Sequence, residues 1–260
     1  MSTPGDVHST AKLYAMARKL TPLLCELHAH TTWSDGTLEI SEVVDLYGRR
    51  GFDVLCITDH VVRARDPWTG DPVPPGTMVE AENFAAYLEA IDAEAARAAA
   101  LYDLLVLPGV ELTYDDTDPN RAAHAVAVGL RSFVGLENGL EQALADARAS
   151  GAALIAAHPY SPSALGDALR GTAAWAVREE LTGAVDRFEI VNRQELFSWV
   201  GAAGLPAVAS GDFHIPEHLV TWKTLLPCAK SEPSVVDYLR SHRPAYLVYL
   251  GTSQPHSLAA

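Results

Sequence analysis

Leu23-Leu24-Cys25-Glu26-Leu27-His28-Ala29-His30 is a short apolar run that ends in two histidines one residue apart. Side chains at i and i+2 of a strand share a face, so the two imidazoles can serve one metal ion. The pattern recurs along the chain. Strands are predicted at Leu23–Leu27, Val54–Ile57, Leu104–Leu107, His124–Val128, Ala152–Ala156, Arg187–Val191 and Ala207–Ala209. Asp59-His60 ends the second, Pro108-Gly109-Val110-Glu111 the third and Ala157-His158-Pro159 the fifth. Asn192 ends the sixth and Gly211-Asp212-Phe213-His214 the seventh, while His124 opens or lies on the fourth.

Helical patterns fall between these runs, at Glu39–Arg50 (with Thr37 as cap), Glu80–Asp103, Glu137–Ser150, Gly166–Leu181, Glu195–Ala203 and Pro233–His242. Strands almost wholly apolar and alternating with helices predict a parallel α/β sheet, closed or open. In a parallel barrel the C-terminal strand ends converge at one mouth, where an active site is built. Residues 1–20 are read as an extension, either one short helix over Ser9–Leu20 or disordered, and 21–260 as a single domain. The Pro- and Gly-rich stretch Arg63–Gly76 reads equally as a rim beside the site or as a rigid surface loop.

The chain has 260 residues, and 48% are hydrophobic, enough for a sizeable core. Its formal charge of −14 argues against a nucleic-acid or anionic-membrane binder. Cys25, Cys56 and Cys228 form no metal or disulfide spacing, so a reducing, cytoplasmic setting is expected. No leader pattern opens the chain, and no apolar run approaches the roughly 20 residues that span a bilayer.

Imidazole and carboxylate together suit zinc, manganese or iron, and nine such residues suggest two or three ions. His28-Ala29-His30 with Ser34-Asp35-Gly36, Thr58-Asp59-His60, Ala157-His158-Pro159 and Gly211-Asp212-Phe213-His214 resemble the four motifs of the PHP (polymerase and histidinol phosphatase) family. The resemblance covers roughly residues 23–250. It implies a distorted (β/α)7 barrel with up to three metal ions. One ion would take His28, His30, Glu111 and Asp212; a second Glu111, His124 and His158; a third Asp35, His60 and His214. Asp59 would orient a ligand histidine from behind.

Arg193, Lys223, Asn192, Arg63 and Arg65 are candidates for holding an anionic substrate; the charged ones also read as solvated surface charges, and Asn192 as a backbone partner. Tyr160, Trp68 and Trp222 can stack on a ring or pack ordinarily, and His218 can give a proton or lie on a surface helix. His8, His242 and His256 lie far from any motif and are assigned no role.

The function expected is hydrolysis of a small phosphate mono- or diester, a phosphorylated metabolite or nucleotide, by a metal-activated hydroxide. No stable nucleic-acid partner and no membrane are expected; the oligomeric state is not legible. Two other readings stand beside it. One is an amidohydrolase-like metallohydrolase acting at carbon, although no lysine ends a predicted strand. The other is a non-catalytic module that retains its metals.

Overall fold

The computed structural model describes residues 21–67, 77–161, 172–241 and 243–251. The predicted extension 1–20, most of Arg63–Gly76 and the start of the predicted helix Gly166–Leu181 lie outside the described residues. Eleven strands form one curled sheet: β1 (Leu23–Glu26), β2 (Val54–Ile57), β3 (His60–Val61), β4 (Leu105–Tyr114), β5 (Ala123–Val128), β6 (Ala153–Ala157), β7 (Arg187–Asn192), β8 (Glu195–Leu196), β9 (Ala207–Ser210), β10 (Trp222–Leu226) and β11 (Tyr246–Tyr249). The order is β11-β10-β1-β2-β4-β5-β6-β7-β8, with β3 against β4 and β9 against β7. Beyond the strands proper, Ala29 and Phe213 pair in parallel, so chain just past β1 meets chain just past β9. His30 N donates to Phe213 O at 2.7 Å and Phe213 N to His28 O at 3.1 Å. The first and last motifs thus sit side by side.

Helices α1 (Ile40–Gly48), α2 (Phe84–Tyr102), α3 (Leu140–Ala149), α4 (Ala174–Val177), α5 (Glu179–Thr182), α6 (Ser198–Ala202) and α7 (Glu232–Arg240) complete the described fold. Apolar side chains of α1, including Val43, Val44 and Tyr47, are buried in the same core as Leu55 and Ile57 of β2. Such faces supply the core through area removed from water. Among the described residues no helix is long and apolar enough to cross a membrane.

Four sequence expectations change. The fourth strand, β5, runs antiparallel to both neighbours. Only residues 115–122 join it to β4, with no helix between, and so short a connection cannot make a parallel crossover. β4 does not stop before Pro108 but continues to Tyr114, because Pro108 sits where β2 ends and Gly109 faces β5 closely; a Cβ there would lie 2.7 Å from Ala127 O. The predicted helix Glu195–Ala203 begins only at Ser198, since Glu195–Leu196 folds back on β7 as a hairpin. The expected cap Thr37 instead donates its hydroxyl to His214 O at 2.9 Å; α1 is entered at Glu39, whose N–H reaches the Glu42 carboxylate at 3.0 Å.

Four strands lie outside the seven that the sequence predicts: β3, β8, β10 and β11. β10 carries Lys223, fully buried and 2.6 Å from the equally buried Glu26 of β1. Glu26 also accepts N–H bonds from Leu27 at 3.1 Å and Gly211 at 2.8 Å, and a hydroxyl bond from Tyr47 at 2.9 Å. A Cβ on Gly211 would strike both Lys223 and Glu26, so only glycine lets this pair lie under the last motif. Lys223→Met, which strands the Glu26 charge, should cost about 3–5 kcal/mol in urea unfolding. A loss under about 1 kcal/mol, the scale of a surface pair, would show that the pair does not support the fold.

Candidate metal centre

The nine predicted ligands come together. Ligand atoms lie within 4.8 Å of one another in three groups: His28, His30 and Asp212; Glu111, His124 and His158; and His30, Asp35, His60 and His214. Local geometry explains each placement. His28 and His30 leave β1 on one face. β3 pairs His60 directly with Glu111, and β5, being antiparallel, brings its first residues beside the end of β6, where His124 pairs with Ala157. The Ser34-Asp35-Gly36 turn folds back on the His30 backbone; a Cβ at Gly36 would sit 2.5 Å from His30 C and O.

Glu111 lies at the centre. Its Oε1 is 3.1 Å from His124 Nδ1 and 3.0 Å from His158 Nε2. Its Oε2 is 3.3 Å from His28 Nε2, 3.4 Å from His30 Nε2 and 2.9 Å from His60 Nδ1. Asp212 Oδ1 is 3.6 Å from His28 Nε2 and 3.5 Å from His30 Nε2. Asp35, half exposed, faces His60 Nε2 at 3.4 Å and His214 Nε2 at 3.2 Å.

The other ring nitrogens have partners of their own. His28 Nδ1 meets Glu189 at 2.9 Å and His124 Nε2 meets Asp115 at 3.0 Å, while His60 Nδ1, already beside Glu111, also meets Thr113 Oγ1 at 2.6 Å. His158 Nδ1 lies 3.4 Å from Thr172 Oγ1, and His214 Nδ1 lies 3.0 Å from Asp212 O. In contrast, His28 Nε2, His30 Nε2 and Glu111 Oε2 are buried with no hydrogen-bond partner. Buried polar atoms are ordinarily satisfied. Orphaned nitrogen and oxygen atoms that converge on one space fit divalent cations, and the donor set suits zinc, manganese or iron.

The charges are strongly coupled. Burial pushes His30 down, and its neighbour His60 adds to this, holding it at about 3; its ring centroid is 4.3 Å from His60, 4.2 Å from His214 and 4.9 Å from His28. Burial opposes ionisation of Glu111, but the charges of His60 and His28 overcome it and hold the carboxyl well below the usual range. His124 is likewise opposed by burial, yet hydrogen bonds to Asp115 and Glu111 raise it to about 9. His158, Arg193 and Asp212 all have positive φ, of 28°, 52° and 44°. Non-glycine residues adopt this region at a cost, and such strain gathers at functional sites.

The cluster floors a cavity of about 640 Å³. The turn between β7 and β8 supplies one wall with Asn192, Arg193, Gln194 and Glu195, and Tyr160 stands by them, its hydroxyl donating to Glu195 at 2.7 Å. Arg193 is held by Asp212 O at 3.1 Å and Asp212 Oδ2 at 3.1 Å. The remaining cation candidates do not reach this cavity. Lys223 is buried on Glu26. Arg63 lies over the Tyr114 ring at 4.1 Å and donates to Asp115 O; with Arg65 it borders a separate hollow of about 290 Å³. Trp222 packs on Tyr249, and Trp68 lies outside the described residues. His218 sits on a 3-10 turn, its Nδ1 accepting from His214 N at 3.2 Å. Cys25, Cys56 and Cys228 are buried and free.

Asp59 does not touch a ligand ring. It accepts from Thr31 N at 2.7 Å, Thr31 Oγ1 at 2.8 Å and Ser34 Oγ at 2.7 Å, and so holds the turn that carries Asp35. The carboxylates that do grip ligand rings from behind are Glu189 and Asp115, neither anticipated. The available signal was a charged residue inside a strand-like apolar run, which must find partners when buried.

Fold and site together define an α/β protein whose curled sheet carries a candidate multi-metal centre formed from its inner strands. The PHP domain model matches residues 26–161, more than half of the chain, and the chain belongs to the PHP domain family. Among solved structures, a two-domain protein from Bacteroides vulgatus containing a predicted PHP-like metal-dependent phosphoesterase is similar, with a TM-score of 0.64 and 21% identity. The likeness covers 90% of this chain and 66% of that one, so the chain spans just under two thirds of it. An amidohydrolase from Chromobacterium violaceum, with bound sulfate and no metal, has a TM-score of 0.52 and 16% identity over 88% of this chain and 98% of the other. At these identities the likeness is one of fold. No curated protein gives a significant match.

A pH dependence follows for protein stripped of metal. A histidine raised by folding stabilises the fold below its ordinary value and loses that contribution as pH rises through its folded value. His28, His60, His124 and His214 are all raised, His124 from 6.5 to about 9. The melting temperature of stripped protein should therefore fall between pH 6.5 and about 9. Loaded protein should show a flatter profile, because bound metal takes the place of those protons. A stripped protein whose melting temperature rises over this interval contradicts the assignment.

Proposed function

We propose that this chain is a metal-dependent phosphoesterase that hydrolyses a small phosphate mono- or diester, such as a phosphorylated metabolite or nucleotide. The reading takes the sheet as a distorted (β/α)7 barrel, residues 21–260 as one domain, and the cytoplasm as its setting. The observation that carries it is the orphaned inner face of the cluster: His28 Nε2, His30 Nε2 and Glu111 Oε2, buried and without hydrogen bonds. Two to three ions of manganese, zinc or iron suit its three groups. One would be held by His28, His30, Glu111 and Asp212, a second by Glu111, His124 and His158, and a third by Asp35, His60 and His214. Bound there, such ions activate water and neutralise charge on a phosphate.

The chain's own residues complete the site. Arg193, its guanidinium braced by Asp212, presents donors to phosphate oxygens, a charge-assisted and often forked contact. Asn192 and Tyr160 line the same wall and offer polar contacts to the alcohol part of the ester. A cavity of about 640 Å³ is of the size that encloses small ligands. An amidohydrolase-like site with a carboxylated lysine is not favoured. Among the described residues, Lys223 is engaged by Glu26 and Lys230 by Asp53 and Asp103, all away from the cluster.

Elemental analysis of reconstituted protein should find two to three equivalents of metal, one for each group filled. A phosphate-release screen over nucleotides, sugar phosphates and cyclic phosphates, with manganese supplied, should then reveal turnover. His28→Ala and Asp212→Asn should each abolish phosphate release while leaving circular dichroism unchanged. A fully loaded protein that releases phosphate from none of these esters overturns the proposal in favour of a non-catalytic module.

A further inference from the structure

Glu189 of β7 is wholly buried, and its carboxylate touches both halves of the cluster without belonging to any of the three metal groups. Oε1 lies 2.9 Å from His28 Nδ1 and also accepts from Ser210 Oγ. Oε2 accepts from the His158 backbone N–H at 2.7 Å and from Asn192 Nδ2 at 2.7 Å. A carboxylate has about four lone-pair positions, and these four donors fill them. Because Glu189 only accepts, His28 must carry its proton on Nδ1. In the neutral ring that a metal ion requires, the Nε2 lone pair then faces Glu111 and Asp212, where it has no hydrogen-bond partner among the described residues. The second oxygen grips the backbone of His158 at one of the three left-handed positions of the site.

We infer that Glu189 is a positioning residue that sets two metal groups at once, fixing the ring tautomer of His28 and the strained backbone of His158. The inference rests on the metal reading above. The third group, His30, Asp35, His60 and His214, has no contact with Glu189 and shares only His30 with the groups that Glu189 touches. Ser34, Thr113 and the Asp212 carbonyl face its outer ring nitrogens instead.

Glutamine has nearly the same shape, yet neither orientation of its amide serves. With the NH2 toward His28, the ring nitrogen Nδ1 must accept, the proton moves to Nε2, and that nitrogen can no longer bind metal. With the NH2 toward His158, a donor opposes a backbone N–H that cannot turn away, and Asn192 loses its acceptor. Glu189→Gln should therefore weaken metal binding about 10- to 100-fold at one or both of the groups containing His28 and His158. The third group should keep its affinity.

The test is manganese and zinc titration of wild type, Glu189→Gln, Asp35→Asn and the double variant, with equivalents counted at fixed free metal. Asp35→Asn marks the third group, so the two single losses should fall on different equivalents and add in the double variant. Ser210→Ala, which removes a donor but leaves the carboxylate, should bind as wild type does. Equal weakening at every equivalent, or none, overturns the inference. If Glu189→Gln does not fold, the proton of His28 decides, read by 15N-resolved imidazole NMR of zinc-loaded wild type. An Nδ1–H tautomer supports the inference, and zinc on Nδ1 overturns it. Wild-type protein that takes up no metal overturns the metal reading and this inference together, an outcome distinct from all of these.

Discussion

The Glu111 carboxylate is buried in the middle of β4, among five imidazoles, and the other motifs are arranged around it. An ionised carboxylate taken out of water is costly unless paired and hydrogen-bonded. Here Oε1 has two imidazole partners at hydrogen-bond distance, while Oε2 is left without a hydrogen bond. The neighbouring strands are disposed around that carboxylate. β3 delivers His60 opposite it, β1 delivers His28 and His30, and the antiparallel β5 returns His124 to the same edge. A fold that gathers these groups and leaves the central contacts unbonded is organised for a cation it does not itself supply.

The scaffold beneath the cluster is held by a different kind of interaction. Glu26 and Lys223 are both wholly buried, and through Gly211 the Glu26 carboxylate joins β1 to the loop that follows β9. Breaking such a pair is far more destabilising than its net contribution suggests, because the surviving charge has no water to turn to. The pair lies on the side of the last motif away from the cavity, which is why a lysine that sequence alone offers as a substrate contact proves to be structural. The cation that does reach the cavity, Arg193, gets there by taking a left-handed backbone conformation at the β7–β8 turn.

The residues that gather in the cluster were legible because metal chemistry confines candidate ligands to a few residue types at strand ends, and the motif spacing repeats that choice four times. The alternation of strand and helix was legible from apolar runs and glycine stops. What could not be read was strand direction: nothing in Ala125-Val126-Ala127-Val128 distinguishes a buried antiparallel strand from a parallel one, and only the missing helix before it is diagnostic. Glu189, Asp115 and Glu26 escaped for a related reason. Each is an ordinary acidic residue whose importance lies in donors that come from elsewhere in the sequence, as far as 185 residues away between Glu26 and Gly211. β10 escaped because Trp222-Lys223-Thr224-Leu225-Leu226 shows its lysine as a surface charge until Glu26 is known to face it.

On the proposed reading, the strongly acidic balance of the chain and an anionic substrate are compatible. The three groups contain only three carboxylates, Asp35, Glu111 and Asp212, and six neutral-capable imidazoles. Two or three divalent ions bring more positive charge than those three carboxylates remove, which offsets the negative balance of the chain at the cavity floor. Arg193 adds to it at the wall, while Asp212 braces that guanidinium from beneath. The field a phosphate would meet is then set by the ions and one arginine, and the net charge of −14 acts mainly by turning away long polyanions before they reach the mouth.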